Sequence, residues 1–171
     1  MGYTHYWKQE RPFTDEEWGR MIEHVKAVYK NLPKHSVSSR APYPEVPLII
    51  RGSDGTGEPD FGYGVITFNG DAETVGDYGY TPFTGTEDMS HDTFFLESDV
   101  VTDFEFCKTA RKPYDLFVQA VLILASHHND GFTFKSDGFI DEWDAAVKLV
   151  NDTVDLFAAE ELVQHLEKRS A

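Results

Sequence analysis

Pro113-Tyr-Asp-Leu-Phe-Val-Gln-Ala-Val-Leu-Ile-Leu-Ala-Ser-His127 is apolar almost all the way round. A helix of that composition must be buried on every side, so the rest of the chain has to wrap it. Proline is tolerated at a first helical position, where its missing N–H would lack a partner anyway, so the helix is predicted to begin at Pro113. Upstream, Thr14-Asp-Glu-Glu17 forms a capping box, and Trp18, Met21, Ile22, Val25, Val28, Tyr29 and Leu32 follow at helical spacing. That helix is predicted to stop before Pro33. Residues 33–47 carry four prolines and read as an extended connector. Strands are predicted over 48–51, 63–68, 92–96, 103–107 and 132–135, with a turn signal at Asn69-Gly-Asp71. Residues 140–166 read as helix with a break near 151–153. The expected architecture is α+β, a mostly antiparallel sheet with helices packed on one face, in a single domain spanning 1–171.

The formal net charge is -15 and the pI about 4.7, with 40% hydrophobic and 14% aromatic residues. That composition supports a real core and argues against a disordered acidic tail. It also argues against direct nucleic-acid binding, which needs phosphate neutralisation. The longest apolar run is too short to cross a bilayer, the opening residues lack a signal-peptide pattern, and one cysteine excludes an internal disulfide. The expected setting is cytoplasmic, with no membrane partner.

Against this acidic background one basic cluster stands out. No Lys or Arg occurs from residue 52 to 107, a stretch holding thirteen Asp and Glu, and then Lys108, Arg111 and Lys112 arrive together. Three cations before a helix oppose the macrodipole, and a bound anion would relieve the conflict. Lys108, Thr109, Arg111 and Lys112 are therefore candidate phosphate ligands, weighed equally against pairing with the chain's own carboxylates such as Asp115 or Glu105. No glycine-rich phosphate loop is present.

The opening Met1-Gly-Tyr-Thr-His-Tyr-Trp7 is too aromatic for a frayed end. Tyr3 and Trp7 read as core, whereas His5 and Tyr6 could line a pocket, with Tyr114 bordering it. The segment 135–143 imitates a calcium loop but lacks charged ligands at the required positions, so Ser136 or Asp137 reads as a helix cap. Asn69 and Asp137 complete the candidate ligand set. Histidine and cysteine spacings match no metal site, and no cofactor is expected. Trp18, Trp143 and Phe157 suit either the core or a partner subunit, leaving a homo-oligomer open.

MGYTHYW, the Phe68-Asn-Gly70 turn, FCKTARKPYD at 106–115, and Ser136-Asp-Gly138 with Glu142-Trp143 resemble, in this order, a family of small uncharacterised proteins of bacteriophage and prophage genomes. The resemblance implies a phage-infected bacterial cytoplasm as the setting and nothing about residues 71–103. Three functions compete. One is a module binding a phosphorylated small molecule, a nucleotide or cyclic nucleotide, which sequesters a host immune signal. A second is an enzyme acting on a nucleotide or phosphoester, with His5, His127 or Asp137 as acid or base. The third is an acidic DNA mimic or decoy for a host protein.

Overall fold

Ten consecutive residues, Leu116 to Ala125, are buried on every side of the central helix, which explains why the run tolerates a single polar residue, Gln119. Each such aliphatic or aromatic side chain contributes about 1.5–3 kcal/mol when taken out of water. The computed structural model describes residues 3–36, 46–75, 86–154 and 159–168. The strands are β1 (Thr4–Gln9), β2 (Ile50–Arg51), β3 (Asp60–Phe61), β4 (Val65–Gly70), β5 (Thr74–Val75), β6 (Thr86–Glu87), β7 (Phe94–Glu97), β8 (Thr102–Lys108) and β9 (Phe132–Ser136). The helices are α1 (Asp15–Lys30), α2 (Asp115–His128), α3 (Asp144–Val154) and α4 (Ala159–Leu162), with 3-10 turns at Ser53–Gly55 and Ile140–Trp143.

The chain is an α+β domain. β1 lies between β8 and β9 in an antiparallel three-stranded sheet, and β4 organises a second antiparallel sheet with β2, β3 and β7. β5 and β6 form a separate pair. α2 packs against α1, α3, α4 and β9, so the helices lie together over the sheets' inner faces. Aromatic rings join the layers. Trp7 meets Phe94 at 5.2 Å, Phe94 stacks on Phe68 at 4.9 Å, and Phe68 meets Phe117 of α2 at 4.5 Å. Trp18 and Trp143 are both buried in this core.

The capping box forms as its spacing predicts, with the Glu17 amide donating to Thr14 Oγ1 and the Thr14 amide to Glu17 Oε1. Strand ends shift by one or two residues, and four local expectations are corrected. α2 begins at Asp115 rather than Pro113, because the amides of Lys112 and Asp115 close tight turns onto the carbonyls of Thr109 and Lys112. Asn69 and Gly70 stay in β4, paired with Arg51 and Ile50, where a turn was expected. α3 continues through 151–153 to Val154, with Thr153 Oγ1 accepting from the Asn31 amide at 2.8 Å, a tertiary bond the local pattern does not contain. The turn at Ile140–Trp143 is capped by Glu142 reaching back to the Phe139 amide, so neither Ser136 nor Asp137 serves as its cap. Phe157, Pro42, Pro44, Tyr78, Tyr80 and Phe83 lie outside the described residues. No described helix is long and apolar enough to cross a membrane.

Candidate functional site

The β1 strand brings the three distant motifs together, because β8 and β9 pair on either side of it. His5 lies opposite both Cys107 and Ser136, and Tyr6 lies opposite both Phe106 and Lys135. Strand alternation then divides the residues by face. His5, Trp7, Cys107 and Phe134 point inward and are buried.

The inward side of this corner is a polar network of buried and half-buried groups. His5, with no exposed surface, is wedged between the rings of Tyr3 and Trp143. Its Nε2 lies 2.6 Å from Asp115 Oδ1 and its Nδ1 lies 2.9 Å from Ser136 Oγ. Thr109, also fully buried, donates its hydroxyl to the same Asp115 oxygen at 2.6 Å. The Gly138 amide donates to Ser136 Oγ at 2.9 Å. Burial, reinforced by Asp115 and Glu142, drives the neighbouring Tyr3 hydroxyl far above its ordinary range, so it stays protonated.

Around this network the nominated residues separate. The Ala110 and Arg111 backbones both take left-handed conformations, φ 54° and 57°, in a tight turn without glycine. Each such residue costs about 1–2 kcal/mol, so surrounding contacts must hold the turn. Arg111 Nε donates to Glu142 Oε1 at 3.0 Å, and its guanidinium carbon sits 4.2 Å from the Tyr3 ring centre. The side chain keeps 37% of its surface exposed, against 6% for Glu142. Lys112 turns away, donating its ammonium to the carbonyls of Asp88 and Ser90. Tyr114 is buried and donates to the Asp92 carbonyl, so it borders no open pocket. His5 is equally closed off. Asn69 is buried on the other sheet, where its amide and carbonyl are satisfied by His91, Thr93 and Gly70. Asp137 accepts from the Thr4 amide and the Tyr6 hydroxyl. The helix start therefore resolves its charge conflict internally. Asp115 occupies the first turn, and the three cations do not converge on it.

The outward side of the same sheet sets Phe104, Phe106 and Lys135, which are not sequence candidates, beside Tyr6 and Lys108, which are. Phe104 is 61% exposed and Phe106 54% exposed, in ring contact with each other at 5.9 Å, and Phe104 meets Tyr6 at 5.9 Å. Lys135 lies opposite Tyr6, Lys108 opposite Thr4, and Lys8 two residues beyond Tyr6 on the same strand face. Lys8 pairs with Glu10, whereas the ammonium groups of Lys108 and Lys135 form no ion pair among the described residues. A cavity of about 710 Å³ is lined by Tyr6, Lys8, Phe104 and Lys135 of this face together with the inward Trp7 and Phe134 and the carboxylates of Asp103 and Glu161, among others. Arg111 lies in the turn that follows Lys108. The signal was legible in principle, since Phe104-x-Phe106 and Tyr6-x-Lys8 both carry period-two alternation. An edge strand simply presents its aromatic side outward.

The chain matches no family model, no curated protein and no solved structure.

Proposed function

We propose that the protein binds a small molecule combining a flat ring with phosphate, a nucleotide or cyclic nucleotide, across the outer face of the β8–β1–β9 sheet. The observation that carries this reading is the pairing of exposed Phe104 and Phe106 and half-buried Tyr6 with Lys108, Lys135 and Lys8 on one face of a chain with net charge -15. An aromatic platform supplies stacking worth about 1–3 kcal/mol per base. The lysines supply charge-assisted bonds to phosphate, and the cavity is of a size that suits a small ligand. Arg111, held through Nε and by the Tyr3 ring, keeps its outer N–H groups oriented toward an incoming oxyanion at small entropic cost. Lys112, Tyr114, His5 and Asn69 leave the ligand set. In the phage setting that the sequence resemblance implies, the ligand is a signalling nucleotide of the host and the outcome is its sequestration.

Calorimetry with a panel of mononucleotides and cyclic dinucleotides tests the reading. At least one should bind, and Phe104→Ala and Arg111→Ala should each weaken it about tenfold or more. Absence of binding at millimolar ligand would overturn it. Co-purification of a host protein insensitive to Phe104→Ala would favour the acidic decoy instead.

A further inference from the structure

With His5 as a neutral imidazole, the contacts of the buried network admit one consistent arrangement of protons. Asp115, as a carboxylate, only accepts, so both short contacts to its Oδ1 carry a donor proton, one from Thr109 Oγ1 and one from His5 Nε2. In the neutral imidazole the other nitrogen, Nδ1, is then an acceptor. The atom facing it at 2.9 Å is Ser136 Oγ, which must donate. Ser136 has the proton free to do so, because its bond with Gly138 uses the oxygen as acceptor of the amide N–H. The result is a continuous serine O–H to histidine to carboxylate chain, recognisable by geometry and roles, with the two ring nitrogens exchanged relative to the chymotrypsin arrangement.

The surroundings suit that chain to chemistry. His5 cannot drift, since the Tyr3 and Trp143 rings hold it at 5.1 and 5.2 Å. Ser136 and Asp115 are both partly exposed, Ser136 at the end of β9 directly after Lys135. Tyr3 borders Ser136 and carries Arg111 on its ring, so the serine and an oriented cation flank one residue.

We propose that Ser136 is a nucleophile activated by His5, with Asp115 as the positioning residue, acting on a carboxylic ester of an anionic small molecule. Ser136 Oγ forms a bond to the acyl carbon while its proton passes to His5 Nδ1. The bond from acyl carbon to alcohol oxygen breaks, and the alcohol leaves with that proton. Water then attacks the acyl-serine, returning a proton through His5 to Ser136 and releasing the acid. Assignment of the nucleophile is independent of the binding reading above. Only the anionic character of the substrate rests on it.

A fluorophosphonate probe tests the assignment, since serine attack at phosphorus expels fluoride and leaves a stable adduct. Incubation of the intact protein, followed by peptide mass spectrometry, should place one adduct on Ser136. Ser136→Ala should abolish it. Asp115→Asn, confirmed as folded by circular dichroism, should slow labelling at least tenfold and change its pH profile. Labelling by the probe requires no nucleotide, so a failure of the binding reading leaves this test intact. Absence of a Ser136 adduct in the unmodified chain would overturn the proposal, as would equal labelling rates in a folded Asp115→Asn protein.

Discussion

Arg111 is tied through Nε to Glu142 Oε1 at 3.0 Å while Glu142 uses its other oxygen to accept from the Phe139 amide at 2.9 Å. One nearly buried carboxylate thus fixes a cation from the basic motif and caps the turn that leads into α3. Removing it should be felt at both ends. Glu142→Gln keeps the shape but loses the charge-assisted bond, and a loss of about 1–2 kcal/mol is expected, moderated because Arg111 is more than a third exposed. Chemical denaturation of the variant checks this. Nucleotide affinity should fall in the same protein, because the guanidinium loses its orientation.

Ala110 offers a test of strain. Its φ of 54° lies in the left-handed region that glycine occupies without a Cβ penalty. Ala110→Gly should stabilise the fold by about 0.5–1 kcal/mol, seen as a higher urea midpoint with an unchanged slope. The unfolded-state entropy of the new glycine offsets part of the gain.

Gly138 probes the coupling between Tyr3 and the motif at 136–142. A Cβ built there would lie 2.4 Å from the Tyr3 hydroxyl and 2.9 Å from its ring edge. Gly138→Ala must therefore displace Tyr3, the platform under Arg111. A destabilisation of about 1–3 kcal/mol is expected, measurable by thermal unfolding, together with weaker nucleotide binding.

A histidine cluster sets the acid limit of the fold. His24 Nδ1 lies 2.9 Å from His128 Nε2, and the ring of His127 is 4.8 Å from that of His128. Burial first, then the like charges of His127, His24 and Arg20, push His128 down to about 4. In the unfolded chain a histidine takes up its proton near pH 6.5. Between those values the unfolded state binds more protons, so stability falls as pH is lowered from about 6.5 to about 4. Glu17, held down to about 2 chiefly by its hydrogen bond from Arg11, loses its contribution only as pH drops from about 4.5 toward 2. Urea midpoints at pH 7 and pH 5 should therefore differ, and His128→Gln should shrink the difference.

Much of the scaffold was legible in the residues. The all-round apolar run of α2, the capping box of α1 and the alternating strands each carry a local signal strong enough to survive tertiary context. The site was less legible. Lys108, Arg111 and Lys112 are adjacent in sequence, but the left-handed turn at Ala110 and Arg111 rotates them apart, and no local pattern announces such a turn without glycine. Asp115 looks in sequence like a generic counter-charge but anchors the His5 network, because its contact with His5 joins residues 110 apart in the chain. In sequence Phe104 and Phe106 carry only the alternation of a strand. Exposure on an edge strand is decided by what covers the sheet, which periodicity does not encode.

The outer-face reading meets its most direct test in amide chemical-shift mapping during titration with a nucleotide that calorimetry shows to bind. The account predicts shifts concentrated at residues 4–8, 104–111 and 133–136, with α1 and the second sheet unperturbed. Shifts clustered elsewhere, with Tyr6, Phe104, Phe106 and Lys135 silent at saturation, would contradict it.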